Sequence, residues 1–335
     1  MISIISDKNE IFNIEPNVIH NRYDMLYSGD FDLLKCNKEI IPIHINGNTC
    51  NVGLYLRKIS QNDLDELKQY IFKNYKDIYD LKILHTYTEL NGTVAKPHWH
   101  VNLPKTIDEF DKTLHSKVRY NTKWYPKKIK QDIGEYTFKK YTSEKCPSYI
   151  IELYLNWKKH SHNFEWNKSS KDYLKEFGVT TIYVMETTNT VLAIGFTCET
   201  GKNVFFENFS FNHDFAKYSC GMVLYHYIIK DLIDNNKETL YLLGGDLDYK
   251  KRYNGIKTLT YSGYIYRNPN FVKILTLIGN LLTFLFPIKR LIGNLLTFLF
   301  PIKRLRKLVV EIFGSLCLSK YYKHFLRDMV LKEQI

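Results

Sequence analysis

The sequence predicts a mixed α/β fold whose sheet is mostly antiparallel. Three segments, 180–186, 190–199 and 203–212, have the composition of strands and are separated by hairpin-length turns. A helix with apolar residues on one side starts near Gly221, and the apolar run at 238–243 after it suits a central strand buried on both faces. Helices, an antiparallel meander, a helix and a buried strand in this order indicate a sheet with mixed strand directions.

The regions around the meander supply further helices and strands. Apolar residues at helical spacing predict a helix over 61–81, and 95–104 is predicted as a short strand. Residues 105–132 are predicted as one long polar helix that is broken or kinked near Pro126. The remaining predicted elements are a strand at 136–143, two helices within 147–176 and a closing strand or hairpin at 258–267.

The charge of the chain favours an anionic partner. A formal net charge of +12 suits a phosphorylated cofactor, nucleic acid, an acidic glycan or a membrane surface, and it does not choose among them. Surface charge that serves no partner fits the same value equally well. Residues 1–10 lack the basic and apolar regions of a signal peptide, so we expect a cytoplasmic protein. The six cysteines form no Cys-x-x-Cys pair, which predicts reduced thiols.

The C-terminal region contains a tandem repeat. The segment LIGNLLTFLFPIKR at 277–290 recurs unchanged at 291–304. Each apolar stretch is shorter than the ~20 residues that a membrane-spanning helix needs. Two interpretations stay open. Residues 277–304 form interfacial helices at a membrane surface, or they form a duplicated helix that packs on the protein itself.

The segment YLLGGDLDYKKRYNG (241–255) is the first candidate site. It is not an EF-hand, because Lys250 and Lys257 stand where oxygen ligands are needed, and it lacks the spacing of a P-loop. What remains is a strand end, a glycine pair and a basic helix start. Ligands gather at the carboxyl ends of strands in α/β sheets, so this segment is either a ligand-binding edge or a solvated turn.

The segment KYSCGMVLYHYIIKDLI (217–233) is the second candidate. The small residues Ser219, Cys220 and Gly221 precede an apolar helix, whose first backbone N–H groups could point at a pyrophosphate. An ordinary capped core helix would give the same pattern.

Two His-x-His pairs occur, at His98 and His100 and at His160 and His162. Residues two apart on a strand share a face, so such a pair can hold a metal ion together with a third ligand. No third ligand is apparent, and no metal site is predicted. No Gly-x-Ser-x-Gly motif and no clear Cys/His arrangement indicates nucleophilic catalysis.

Three stretches carry a resemblance to a known family. LPKTIDEFDKTLHSKVRYNTKW (103–124) resembles its Leu-Pro, acidic helix and Ser-Lys-x-Arg-x-Asn segment, and FNHDFAKYSCGMVL (211–224) resembles its strand exit and cofactor turn. YLLGGDLDYKKRYNG resembles its Gly-x-Asp-x-x-Tyr-Lys signature. The chain thus resembles GNAT acetyltransferases over about residues 100–267, and more narrowly the CelD/BcsL-type enzymes of cellulose biosynthesis, also called the BioF2-like acetyltransferase domain.

This resemblance implies a GNAT fold (acyl-CoA N-acyltransferase), arranged as two tandem halves as in the related Fem-type aminoacyltransferases. Residues 1–103 would be a degenerate GNAT-like half, 104–134 a connecting helix, 135–268 the GNAT acyltransferase domain, and 269–335 a C-terminal apolar and basic helical segment with the repeat.

The resemblance also implies acetyl-CoA or another acyl-CoA as the cofactor. Its pyrophosphate would be held by backbone amides of Ser219, Cys220, Gly221, Met222 and Val223. The strand 203–210 would splay from 239–243 to admit the pantetheine arm. The general Gln/Arg-x-x-Gly-x-Gly/Ala turn of the family is altered here and survives only as Ala216-x-x-Ser219-x-Gly221.

Acyl transfer needs a base for the acceptor ammonium, donors for the oxyanion and an acid for the leaving thiolate. Glu207, on a strand face shared with Phe205, Phe209 and Phe211, is predicted either as the base or, equally, as a solvated strand residue. Asp246 is the competing base.

The other predicted roles fall on the signature and the basic residues around it. Tyr249 is predicted to protonate the thiolate, and Lys250 to bind a carboxylate or phosphate of the acceptor. Arg119 and Arg252 complete the predicted substrate-binding residues.

The sequence therefore predicts an N-acyltransferase that moves an acyl group, in the simplest case acetyl, from acyl-CoA to an amine. The resemblance implies an amino sugar or another cell-envelope or polysaccharide precursor as acceptor. The location is cytoplasmic, extending to the inner face of the membrane if 277–304 binds there. Two alternatives stay open: a Fem-like transferase that uses aminoacyl-tRNA, and a non-catalytic membrane- or glycan-binding module on a decayed GNAT fold.

Overall fold

The computed structural model describes residues 2–5, 31–37, 39–162 and 169–270. Their strands are β1 (Ile2–Ile5), β2 (Asp32–Cys36), β3 (Glu39–Asn46), β4 (Thr49–Val52), β5 (Asp80–Thr86), β6 (Thr93–Asn102), β7 (Tyr136–Thr142), β8 (Thr181–Thr187), β9 (Val191–Thr200), β10 (Asn203–Phe211), β11 (Thr239–Gly244) and β12 (Ile256–Tyr266). Their helices are α1 (Gln61–Asn74), α2 (Ile107–Thr113), α3 (Ser116–Asp132), α4 (Ser148–His162), α5 (Ser170–Glu176), α6 (Cys220–Asp234) and α7 (Asp248–Arg252).

The described strands form one sheet in the order β1-β2-β3-β4-β5-β12-β6-β11-β10-β9-β8-β7. Two neighbouring pairs are parallel, β4 with β5 and β10 with β11. The other pairs are antiparallel. The sheet is therefore mixed and mostly antiparallel, as the sequence predicts.

The connectivity of the chain repeats once. Strands β1 to β4 run antiparallel, α1 follows, and β5 returns parallel to β4. Strands β7 to β10 run antiparallel, α6 follows, and β11 returns parallel to β10. The last strand of each repeat, β6 in the first and β12 in the second, pairs with the other repeat. Strand β6 pairs with β11, and β12 pairs with β5. The exchange joins the two repeats in a single sheet.

Helices cover both faces of the second repeat. Adjacent residues of β8 enter different cores, since Tyr183 packs with the α6 residues and Ile182 packs with Tyr154 of α4. Side chains alternate across a strand, so α6 and α4 lie on opposite faces of the sheet. We call these the α6 face and the α4 face. In the first repeat, Leu64, Leu67 and Ile71 of α1 pack into a separate core with β2 to β5.

The predicted long helix is wrong in the position of its break. The segment divides into α2 and α3 at Leu114 and His115, and Pro126 lies inside α3. The side chain of His115 accepts a hydrogen bond from the N–H of Lys117 at 3.4 Å, which caps the new helix. Among the helices of the described residues, none has the length and apolar character to cross a membrane. The tandem repeat at 277–304 lies outside the described residues.

Candidate functional site

A cleft opens where β10 and β11 part. The two strands pair at Asn203–Thr239, Val204–Leu240 and Phe205–Tyr241. Beyond these pairs β10 continues to Phe211 along β9, while β11 continues to Gly244 along β6. The parallel pairing therefore ends at Phe205 and Tyr241, and the two strands part beyond it, as the predicted splay requires.

Helix α6 starts beside this cleft. Ser219 has a left-handed backbone (φ 49°) and joins α6 to the 3₁₀ segment His213–Tyr218. Its carbonyl oxygen accepts from the N–H groups of Met222 and Val223 at 2.9 and 3.2 Å. The amides of Cys220 and Gly221 have no acceptor inside the helix, as at every helix start, and they carry the positive end of the helix dipole. Such an end favours a phosphate.

A cavity of about 380 Å³ lies against this helix start. Its walls come from α3, from the first turn of α6 and from α7, and they include Lys117, Ser219, Met222, Val223, Tyr249 and Arg252. Five of these were predicted as site residues from the sequence. The cavity therefore brings the predicted cofactor turn, the predicted acid Tyr249 and two cationic side chains together.

Two of the predicted cofactor residues face the protein interior. Burial raises the pKa of the Cys220 thiol to about 11. A Cβ added to Gly221 would lie 2.7 Å from Cε2 of Phe209 and 3.2 Å from Cδ1 of Phe211. Gly221 therefore lets α6 approach β10 closely, and both residues can serve a ligand only through their backbone amides.

Tyr249 is placed between the cavity and the core. It lines the cavity, and its ring meets those of Phe209 and Tyr225 edge-on, with centroids 5.9 and 5.5 Å away. Burial raises the pKa of Tyr249 to about 12. The phenol is thus protonated at neutral pH and is able to donate a proton.

Lys250 is turned into the protein. It is 2% exposed, and its Nζ donates to the carbonyl oxygens of Leu243, Gly244 and Gly245 at the end of β11. Burial lowers the pKa of Lys250 to about 8, whereas the three carbonyl dipoles favour the charged form. The lysine clamps the turn after β11. Its role in binding the acceptor stays a prediction.

Asp246 lies outside this clamp in an ion pair. Its carboxylate accepts from Nζ of Lys257 at 2.8 Å, and both side chains are more than two-fifths exposed. The hydrogen bond from Lys257 lowers the pKa of Asp246. A lowered pKa weakens a carboxylate as a proton acceptor, so the geometry does not favour Asp246 as the base.

The strand face predicted for Glu207 is wrong in part. A bulge interrupts the β9–β10 register between Phe206 and Asn208 and reverses the alternation of side chains. Phe209 consequently packs on the α6 face, whereas Phe205 packs with Tyr241 on the opposite one. Burial raises the pKa values of Tyr154 of α4 and Tyr173 of α5, and the carboxylate of Glu207, the inserted residue, adds to this increase, so Glu207 lies on that opposite face.

The two predicted arginines differ in position. Arg252 lines the cavity, where it also pairs with Asp248 at 3.6 Å. Arg119 is exposed and is not part of the cavity wall. The neighbouring residues Lys117 and Asn121 of α3 line it instead. The sequence marks α3 as polar and basic, but which of its sides faces α6 depends on packing between distant segments.

Two comparisons with known sequences bear on identity. Residues 116–251 match the profile of the acetyltransferase (GNAT) domain. No curated protein matches the chain. The narrower resemblance to the CelD/BcsL-type enzymes stays a prediction.

Solved structures of very different sequence share the fold. FemX gives a TM-score of 0.59 at 9% identity, over 82% of this chain and 99% of that chain. The C-terminal domain (DUF2156) of a putative lysylphosphatidylglycerol synthetase from Agrobacterium fabrum gives 0.53 at 13% identity, over 80% and 94%. L-PGS from Bacillus licheniformis gives 0.53 at 12% identity, over 80% and 95%. The chain therefore has the GNAT fold, and its residues 116–251 are similar to the acetyltransferase (GNAT) domain.

Proposed function

We propose that the protein is an N-acyltransferase that takes an acyl group, in the simplest case acetyl, from acyl-CoA. The observation that carries this proposal is the cavity at the start of α6, beside the cleft where β10 and β11 part. A helix start with open amides and two nearby cations fits the phosphates of coenzyme A. A gap between parallel strands fits an extended arm that makes backbone hydrogen bonds.

The residues have distinct parts in this proposal. When bound, acyl-CoA supplies an activated acyl group as a thioester. The amides at the start of α6, with Lys117 and Arg252, hold the phosphates. The hydroxyl of Tyr249 provides the proton that the departing sulfur takes up. The acceptor would be an amine on an amino sugar or another cell-envelope or polysaccharide precursor, a class supported by the resemblance of the three motif stretches.

Calorimetric titration with acetyl-CoA tests the donor site, with two variants of Ser219. Ser219→Asp adds a negative charge at the helix start, whereas Ser219→Asn adds a neutral side chain of the same shape. Both residues tolerate the left-handed backbone at this position. We expect wild type and Ser219→Asn to bind with similar affinity and Ser219→Asp to bind at least about tenfold more weakly, an electrostatic cost of about 1.4 kcal/mol. Equal affinity of the two variants would place the phosphates elsewhere.

A second candidate, transfer from aminoacyl-tRNA, is supported by the outer side of α3. Tyr120 is 62% exposed and Trp124 39% exposed, and the exposed side chains of Arg119, Lys123 and Lys127 accompany them. Cations with exposed aromatic rings suit a nucleic acid backbone and its bases. This candidate requires tRNA binding that weakens steeply with salt and is lost when Lys123 and Lys127 are both changed to Ala. Acetyl-CoA binding without tRNA binding would rule against it.

A further inference from the structure

We propose that the outer side of α3 is a docking surface for a membrane that contains anionic lipids. The surface consists of Arg119, Tyr120, Lys123, Trp124 and Lys127, which we call the α3 stripe. Residues that follow the first one by one, four, five and eight positions lie on one side of a helix. Docking of a bilayer on this stripe goes beyond the proposed acyl transfer and does not depend on it.

The stripe lies on the side of α3 that is turned away from the cavity. The residues of α3 that line the cavity include Val118, Asn121, Thr122 and Tyr125. With about 3.6 residues per turn, the middle of that set and the middle of the stripe fall on opposite sides of the helix axis. One side of α3 thus forms a wall of the cavity, and the α3 stripe faces outwards.

The three cations of the stripe are exposed, and none of them forms an ion pair with another described residue. Helix α3 carries six lysine and arginine side chains before its first acidic residue, Asp132. Two of the six are paired near the end of the helix, Lys128 with Asp132 at 3.0 Å and Lys130 with Glu135 at 2.7 Å. The charge of the stripe is therefore available to an anionic surface.

Two aromatic side chains stand among these cations. Tyr120 is 62% exposed, the largest value for a large apolar or aromatic residue in the described part of the chain. Trp124 is exposed along one part of its ring and contacts Tyr125 with another, with centroids 4.9 Å apart. Tryptophan and tyrosine gather at the boundary between lipid and water, where an amphipathic ring meets both. An exposed pair of them among cations suits a membrane surface.

The shape of the stripe favours a bilayer over a nucleic acid. A single strand is bound in a positively charged groove that follows its backbone. The stripe instead lies on the convex back of a helix and is about 12 Å long over its eight residue steps. The cavity lies on the other side of α3. A convex helix back touches a flat surface along its whole length and needs no groove.

The sequence supplies a second element of the same kind. An apolar stretch followed by Pro-Ile-Lys-Arg occurs twice in 277–304, and a membrane surface is one of the two interpretations that stay open for it. A single weak element holds a protein at a bilayer only reversibly, and stable attachment takes a second one, such as a basic patch beside an apolar anchor. The full chain carries both kinds of element.

Docking on the stripe brings the membrane close to the cavity. The two are separated by the thickness of α3, about 10–12 Å with its side chains. An amine carried on a lipid headgroup or on a lipid-linked precursor is then presented beside the cavity. This last step rests on the proposed acyl transfer, whereas the docking does not.

Flotation of the full chain with vesicles tests the stripe. The vesicles contain phosphatidylcholine either alone or mixed with an equal part of phosphatidylglycerol. Lys123→Ala/Lys127→Ala removes two cations of the stripe, and Lys171→Ala/Lys175→Ala is the control, with the same loss of charge from α5 on the opposite face of the sheet.

We expect wild type to bind the anionic vesicles more tightly than the neutral ones, with an affinity that falls as salt is added. At about fivefold per cation, the stripe variant should bind the anionic vesicles about twentyfold more weakly. The control variant should bind within about twofold of wild type, because its charges lie outside the contact.

The aromatic residues give a second readout. Tryptophan emission of the full chain should move to shorter wavelength on anionic vesicles, and Trp124→Phe should lose this shift. Tyr120→Ala should weaken binding, whereas Tyr149→Ala, which removes a ring 55% exposed on α4, should not. All these variants should unfold at the temperature of wild type, since the substituted side chains are exposed.

Two results would overturn the assignment. If the stripe variant and the control variant bind anionic vesicles equally well, another part of the chain holds the bilayer. If the stripe variant loses affinity for tRNA and wild type does not bind vesicles, the stripe belongs to a nucleic acid. Acetyl-CoA binding is measured separately, and its absence would refute the proposed donor while leaving the vesicle result to decide the docking surface.

Discussion

Nζ of Lys250 lies 3.1 Å from the carbonyl oxygen of Gly245, the residue at which the chain leaves β11 with a φ of +85°. The same ammonium also holds the carbonyls of Leu243 and Gly244. Leu243 has a left-handed backbone too, with a φ of +62°. One buried cation thus fixes a turn of unusual backbone geometry between the cleft and α7.

Lys250→Met tests this clamp. The substitution keeps the length of the side chain and leaves three carbonyl oxygens without their donor, so we expect the free energy of unfolding to fall by about 1–3 kcal/mol. Lys251→Met is the control, since Lys251 is exposed and its loss should change stability by no more than about 0.5 kcal/mol. Chemical denaturation of both variants measures the difference. Equal stabilities would show that the turn holds without the ammonium.

Gly221→Ala tests the contact between α6 and β10. A methyl group there would come 2.7 Å from Cε2 of Phe209, which should cost about 1–3 kcal/mol although alanine favours a helix by about 1 kcal/mol. In a Phe209→Leu background the obstructing ring is absent, so the same substitution should become neutral or stabilising. Thermal unfolding of the four proteins in this cycle gives the coupling between the two sites. A stabilising Gly221→Ala in the wild-type background would contradict the close approach.

Local patterns were sufficient for much of the fold. The strands β8 to β11 and the helix α6 were predicted from composition, spacing and turn residues, which act over a few neighbouring positions. The sequence predicted the break at Pro126, because proline is the residue that normally interrupts a helix. The break lies at Leu114 instead, and α3 starts with a cap on His115, a residue type that does not usually mark a helix start. The exchange of β6 and β12 between the repeats pairs Asn102 with Thr239 and Thr86 with Tyr261, and no local pattern encodes such distant partners.

Some residues that line the cavity could be recognised in the sequence, and the placement of others could not. The start of α6 and Tyr249 can be recognised from small residues and a signature. The strand face predicted for Glu207 was wrong because a single inserted residue in β10 reverses the alternation of side chains between the two faces. Such an insertion cannot be recognised from the composition of the strand.

The cations of the cavity should contribute measurably to donor affinity. Lys117→Ala and Arg252→Ala each remove an exposed charge near the helix start, and exposed ion pairs are worth about 0.2–1 kcal/mol. We expect each variant to bind acetyl-CoA up to about fivefold more weakly, with the loss disappearing at high salt. Arg119→Ala should bind as wild type does, because Arg119 lies outside the cavity wall. A loss of acetyl-CoA affinity in Arg119→Ala alone would place the phosphates of the donor outside this cavity.

Tyr249→Phe tests the proton donor. The substitution keeps the ring against Phe209 and removes the hydroxyl, so we expect kcat to fall by about a hundredfold or more with acetyl-CoA affinity unchanged. Because burial raises the pKa of Tyr249 to about 12, its deprotonation should add no fall in rate between pH 8 and 10 in the wild-type enzyme. Tyr253→Phe is the matched control from the same cavity, and its hydroxyl is held 3.5 Å from the carbonyl oxygen of Met222. Equal rates in both variants would mean that the thiolate leaves without a proton from Tyr249.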